Sequence, residues 1–272
     1  MRRRGPKRNL GLVFYAVLYL AFLYLPVLFL PLFSFNDSAF IAFPLVGFTT
    51  KWYGQMLADS AMHTALWNSL KVGAAVALAS TALGLLAAKA LTRYRLPGGA
   101  AVLGFTSLPL FIPDIVLGIS LLILLNTMGM QLSLISVMLG HILICAPFAI
   151  TVLMSRFDGF DKSLEEASLD LGENAWTTFW RVTFPLVLPG IISSLLLTFI
   201  VSFDEFLIAY FLAGTEATLP IYIWGQLRFP YKLPTVLALG AMILVVSTVL
   251  VVVAELVRSY GLKDRKHKMV GA

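Results

Sequence analysis

Six apolar stretches limit what this chain can become. They lie near Leu10–Phe33, Leu66–Ala90, Ala100–Leu125, Leu132–Met154, Leu186–Leu212 and Leu233–Val257. Each is long enough to cross a hydrocarbon core, which takes roughly 20 apolar residues in a helix. In lipid, every backbone N–H and C=O must be bonded within the segment, so stretches of this length span as helices. The predicted fold is therefore an all-α polytopic membrane protein of six transmembrane helices, one domain over residues 1–272. Composition agrees: 59% of residues are hydrophobic and 12% are charged, against about 25% charged in a typical soluble domain. The first stretch follows basic residues, as a signal peptide would. It is too long for a signal core, and FSFNDS behind it offers no small-residue cleavage site, so it reads as an uncleaved span.

Lysines and arginines orient the spans. Sixteen of the twenty lie on one side: the tail from Arg2 to Arg8, then Lys89, Arg93 and Arg95, then Arg156, Lys162 and Arg181, then Arg258 to Lys268. Such an excess marks the cytoplasmic face, so both termini are expected there. The opposite side has two sizeable connections, 34–65 and 213–232. Trp52, Tyr53, Trp67, Tyr222 and Trp224 near them suit the membrane–water boundary, or a contact with a partner. The net charge of +6 sits beside apolar segments, which makes it a topology signal and argues against nucleic acid as a partner. Cys145 is the single cysteine and falls in an apolar run, so an internal disulfide is impossible.

One polar interruption stands out in the second half, LEEASLDLGENAWTTFWRVTFP from Leu164 to Pro185. Ser163 with Glu166 three residues on has the pattern of a capping box. Leu164, Ala167, Ser168 and Leu171 follow at helical spacing, and Gly172 suits the left-handed residue that ends such a helix. Asn174 is placed to cap a second helix, with Trp176, Phe179, Trp180 and Thr183 on one face and Pro185 as its stop. A helical elbow with exposed aromatics either docks into another protein's groove or lies on the headgroups.

Acidic residues within spans are costly and point to function. Asp114 follows Pro113, where Pro109 and Pro113 break or kink the third span. Its carboxylate either complements a helix N-terminus or serves transport. Asp204 and Glu205 in SFDEF are adjacent, so on a continuous helix they point about 100° apart and only one can line a path. Counted at 1.5 Å per residue along straight helices, Asp114 and Asp204 fall about 20–23 Å from the cytoplasmic ends, at one level. Acids at one depth suit a cationic passenger, or an internal polar network. Glu255 and Arg258 read as a local ion pair, Lys71 as a snorkelling side chain, and His141 as a hydrogen-bonded packing residue. No ligand spacing supports a metal site, no cofactor motif is present, and catalytic constellations such as HExxH or GxSxG are absent. GxxxxGK[ST] is absent too, so ATP hydrolysis is not expected of this chain.

Glu166-Ala167-Ser168, three residues, Gly172, nine residues and Val182-Thr183-Phe184-Pro185 resemble the EAA loop of ABC importer permeases, which runs E-A-A, three residues, G, nine residues, I-x-L-P. The departures are Ser168 for Ala, Val182 for Ile and Phe184 for Leu. SFNDS, FTTKWY, RYR, PDIVLGISLL and SFDEF extend the resemblance, specifically to spermidine/putrescine ABC importer permeases. It implies a type I importer permease subunit in a bacterial cytoplasmic (inner) membrane. A cytoplasmic coupling loop over 155–185 would seat on a separate ATPase through Glu166, Ala167, Gly172, Trp176, Phe179, Trp180 and Pro185. The implied partners are a second permease, a dimer of ATP-binding subunits and an extracytoplasmic solute-binding protein. Asp204, Glu205 and Asp114 would line the polyamine pathway. The same framework serves ferric iron and other small solutes, and the acids alone would also fit a stand-alone secondary cation transporter.

Overall fold

Helices carry nearly all the structure in the computed structural model, which describes residues 10–94, 96–249 and 252. The basic N-terminal tail, Arg95, the Glu255–Arg258 pair and the C-terminal lysines lie outside those residues. Helix α1 is Leu10–Ser34 and α2 is the short Lys51–Leu57; α3 is the 34-residue Ser60–Arg93. Next come α4 (Gly99–Ser107), a 3₁₀ turn over Leu108–Phe111, and α5 (Asp114–Thr127). Helix α6 is Leu134–Asp158; α7 (Ser163–Asp170) and α8 (Ala175–Thr178) form the polar elbow. A π turn over Phe179–Thr183 leads into α9 (Phe184–Asp204), followed by α10 (Leu207–Leu212) and α11 (Leu219–Leu227). The last, α12, occupies Pro230–Val249 and opens with a 3₁₀ turn. Among the described residues the only β contact is an isolated bridge between Asn36 and Phe48.

Among the described residues five helices are long and apolar enough to cross a membrane, and the bent pair α4–α5 makes a sixth crossing if taken as one broken span. The expected third span is therefore present but not straight: it bends by 101° between Phe111 and Asp114. Pro113 forces the preceding Ile112 out of the helical region, to φ −87° and ψ 130°. The equal-depth placement of Asp114 and Asp204 assumed a straight helix and does not survive this bend.

The fifth span departs from expectation at both ends. It begins at Ala175, upstream of Pro185, because the π turn carries the elbow's second limb directly into α9. Pro185 lies just past the π turn, whose wider ring makes room for a proline that would otherwise meet the carbonyl four residues back, and it does not stop the helix. At the other end the span breaks at Glu205, which is extended (φ −68°, ψ 122°). No proline forces this break. The Glu205 carboxylate accepts the N–H groups of Ile208 and Ala209, at 3.0 Å each, and so caps the restarted helix α10.

The chain divides into two units, residues 61–224 and residues 1–60 with 225–272. In the first, α3 turns Val72, Val76, Ser80, Gly84 and Ala88 inward at four-residue spacing. A Cβ on Gly84 would lie 2.7 Å from Ala149 Cβ and 2.9 Å from its carbonyl carbon, so only glycine lets α3 and α6 meet there. Thr81 and Ser194 hydroxyls join α3 to α9 at 2.9 Å. Ile208 and Leu212 of α10 are fully buried and fit where Gly140 of α6 carries no side chain, while Phe211 packs where Gly118 of α5 carries none. A second cluster, with Leu153, Phe157, Val187 and Ile191, packs the end of α6 against the start of α9. In the other unit, α1 is exposed along most of its length, and residues 35–50 fold back against its end.

Candidate coupling and translocation sites

The elbow is built largely as its sequence indicates, with a different cap at its start. Helix α7 takes Lys162 as its N-cap, in helical conformation, so the Ser163–Glu166 capping box does not form. Asp161 takes its place: its carboxylate accepts the Ser163 N–H at 3.0 Å, and that bond holds the Asp161 pKa below its ordinary value. Glu166 instead pairs with Lys162 one turn back, at 2.9 Å, on the exposed surface. Gly172 ends the helix at φ +91°. Glu173 N–H donates to Ser168 C=O and Gly172 N–H to Leu169 C=O, the two bonds of a Schellman turn. Asn174 caps α8 by accepting the Thr177 N–H at 2.9 Å.

Beside these charged groups the elbow exposes an apolar stripe. Leu164, Ala167 and Leu171 point outward, with Leu171 86% exposed and Trp176 72% exposed. Trp180 is also exposed and stands edge-on to Trp176, ring centres 5.7 Å apart. The four residues expected on one face divide. Trp176 and Trp180 face out; Phe179 is half-buried beneath the Lys89 ammonium, 4.7 Å from its ring centre, and Thr183 is fully buried.

What holds the elbow to the membrane helices went unnoticed in the sequence. Glu165 is buried, and its Oε2 accepts from Arg93 Nε at 2.7 Å while its Oε1 accepts from the Thr183 hydroxyl. Arg93, at the end of α3, also donates to Phe157 C=O at 3.1 Å and lies 4.4 Å from the Phe160 ring centre. One carboxylate thus ties α7 to α3 and to the start of α9. The available signal was the helical wheel: Glu165 stands about 100° from the Leu164–Leu171 stripe, on the side that must turn toward the membrane helices. Arg93, read only as a topology marker, is its partner.

At the other candidate site the structure separates two neighbouring acids. The helix breaks between them, so the 100° of a continuous helix does not apply. Asp204 closes α9 with its side chain exposed. Glu205 turns into the fold, with Oε2 3.2 Å from His141 Nε2, close but not aligned as a hydrogen bond. His141 is fully buried on α6 and its Nδ1 is 2.8 Å from the Ser202 hydroxyl, so its expected role as a hydrogen-bonded packing residue holds. Asp114 is the first residue of α5 and is exposed. Its helix packs against α10 at Gly118, whose Cβ position lies 2.7 Å from Phe211 and 3.5 Å from Leu207 C=O. Both broken spans therefore resume, beside an acidic residue, in helices that touch each other.

Comparison with known proteins fits this architecture. Residues 80–259 match the family described as binding-protein-dependent transport system inner membrane component. The spermidine/putrescine transport system permease protein PotC of Escherichia coli K12 is 35% identical over 225 residues, 82% of this chain and 84% of that protein. The putrescine transport system permease protein PotI of the same strain is 34% identical over 221 residues, 78% of each chain. Among solved structures, a bacterial ABC transporter involved in the import of the acidic polysaccharide alginate superposes with a TM-score of 0.71. It covers 96% of this chain and 99% of that one at 19% identity, a likeness of fold. The architecture is the type I ABC importer permease fold, and a stand-alone secondary transporter is set aside. This multi-pass membrane protein belongs to the family of binding-protein-dependent transport system inner membrane components.

Proposed function

We propose that this chain is a permease subunit of an ATP-driven importer that moves polyamines, spermidine or putrescine, into the cytoplasm by alternating access. The observation that carries the substrate is the 34–35% identity, over most of the chain, to permeases named for those two polyamines. In this reading residues 1–272 form a single permease domain with both termini cytoplasmic, and 155–185 is its coupling loop. ATP is hydrolysed on a separate dimer of subunits that receives the face of Leu171, Trp176 and Trp180, with Glu166, Ala167 and Gly172 shaping its first limb. Phe179 and Pro185 anchor the second limb at the membrane. A second permease subunit completes the passage, and an extracytoplasmic solute-binding protein delivers the substrate.

The exposed Asp204 is the better pathway residue, because an ammonium can reach its carboxylate without breaking other bonds. Glu205 is committed to capping α10 and approaching His141, so its contribution is to hold the helix break that leaves Asp204 open. Asp114, exposed at the restart of α5, adds negative charge near that break. A probable molybdenum ABC transporter permease of Haloferax volcanii is 34% identical over a shorter match, 205 residues and 70% of this chain, so molybdate belongs among the competitors. The test is uptake of labelled spermidine into cells whose only polyamine importer contains this subunit. Putrescine, ferric iron and molybdate serve as unlabelled competitors. Saturable uptake blocked by putrescine alone supports the proposal; an assembled transporter that carries no polyamine overturns the substrate.

A further inference from the structure

The connection after α1 carries a surface that the transport reading does not use. From Ser38 to Thr50 it contains no Asp, Glu, Lys or Arg, and Phe40, Ile41, Phe43, Val46 and Phe48 are largely exposed. Its neck is firmly closed. Asp37 N–H donates to Gly47 C=O at 3.0 Å, Thr49 N–H to Phe35 C=O at 2.8 Å, and Val46 N–H to Asn36 Oδ1 at 2.9 Å. The Trp52 indole donates to Asn36 C=O at 2.8 Å, Phe35 stacks on Phe48, and Lys51 pairs with Asp37 across the neck. Trp52 is thereby buried in the loop's own base.

Phe43 rests against α1, its ring centre 5.1 Å from Phe33 and 6.3 Å from Phe29. Phe29 lies five residues before the helix end, about 7.5 Å back along the span at 1.5 Å per residue. The loop therefore folds down beside the last turns of a membrane helix that is itself exposed. A bilayer crossed by α1 puts acyl chain and headgroup beside its last turns, and uncharged, aromatic-rich surface is what partitions there. Within the loop Val46 N–H and Gly47 C=O are bonded at the neck, Phe40 N–H bonds to Ser38 Oγ and Ala42 N–H to Phe40 C=O, and a headgroup boundary supplies polar partners for the rest of its backbone.

We infer that residues 38–48 form a lipid-anchored wedge, seated in the headgroup–acyl boundary of the leaflet at the end of α1, and that its ligand is phospholipid. The inference needs only the membrane assignment, so it stands or falls independently of the substrate.

The experiment uses the assembled transporter in nanodiscs of phosphatidylcholine brominated high on the acyl chain, with a bimane fluorophore on Phe40→Cys and, separately, on Val46→Cys. Both positions are exposed, and Cys145 is buried and should take no label. The expected result is quenching by bromolipid at least roughly threefold stronger than by aqueous iodide, as for a group held within the boundary. Dominant quenching by iodide would put the loop in water and overturn the inference. Weak quenching by both would mean that protein, a partner subunit for instance, covers the loop, which overturns it equally. If one labelled variant fails to assemble, the other gives the same reading.

Discussion

Glu165 offers the sharpest test of how the elbow is held. Its carboxylate is about nine-tenths buried, as is the Arg93 side chain bonded to it at 2.7 Å. Glu165→Ala removes the ion pair and the acceptor for Thr183, and leaves the Arg93 guanidinium with only Phe157 C=O and two aromatic rings. Breaking a fully buried pair this way costs about 3–5 kcal/mol. Here Arg93 keeps one carbonyl and sits near the aqueous edge, so about 2–3 kcal/mol is the better figure. The cost should fall on elbow docking, since α7 contributes little to either apolar cluster. At about 1.4 kcal/mol per tenfold, amide exchange across 163–183 should accelerate roughly 30- to 150-fold in the assembled transporter. Exchange within α6 should be unchanged. Arg93→Met combined with Glu165→Leu should recover much of the protection, because an apolar pair leaves no stranded charge. Acceleration below about threefold in Glu165→Ala would refute the reasoning and demote the pair to an ordinary surface bridge.

Other predictions follow from the same geometry. Gly172→Ala should loosen the elbow by about 1 kcal/mol, purely through its positive φ, since no atom lies within 4 Å of the added carbon; Gly172→Asn should cost less. Equal exchange rates for wild type and both variants would contradict this. Gly84→Val should lower the thermal midpoint of the purified complex, with a loss of about 2 kcal/mol or more from forcing α3 off α6, and an unchanged midpoint would refute the close approach. Asp204→Asn should depress polyamine uptake with assembly intact, while Glu205→Ala should lower thermal stability by about 1–2 kcal/mol through loss of the α10 cap. The reverse pattern would exchange their roles. Because Asp161 has a lowered pKa when folded, its capping bond is fully present above its ordinary value of 3.8 and is lost only as pH falls below it. Elbow exchange, corrected for intrinsic rates, should thus be flat from pH 5 to 8, and a change within that window would point to another group.

Hydrophobic length and charge placement were enough to read a multi-pass helical protein with its elbow between the fourth and fifth spans, because lipid leaves a long apolar stretch little choice but a helix. The Schellman turn at Gly172 and the cap at Asn174 were legible for a related reason: both are set by residues within one turn of each other. The Ser163 box was not, since Asp161 and Lys162 compete for the same helix start, and local pattern does not rank near-equal caps. Tertiary structure decided the rest. Glu165 reaches an arginine 72 residues away, and Glu205 meets a histidine 64 positions upstream. Neither partnership has a sequence period. Whether a span runs straight or breaks depends on what accepts and donates its freed backbone bonds, and at Glu205 that is a side chain oriented by the packing of α6 and α10. Sequence therefore determined which segments are apolar enough to enter the membrane; packing determined which acids stay exposed and which hold the scaffold.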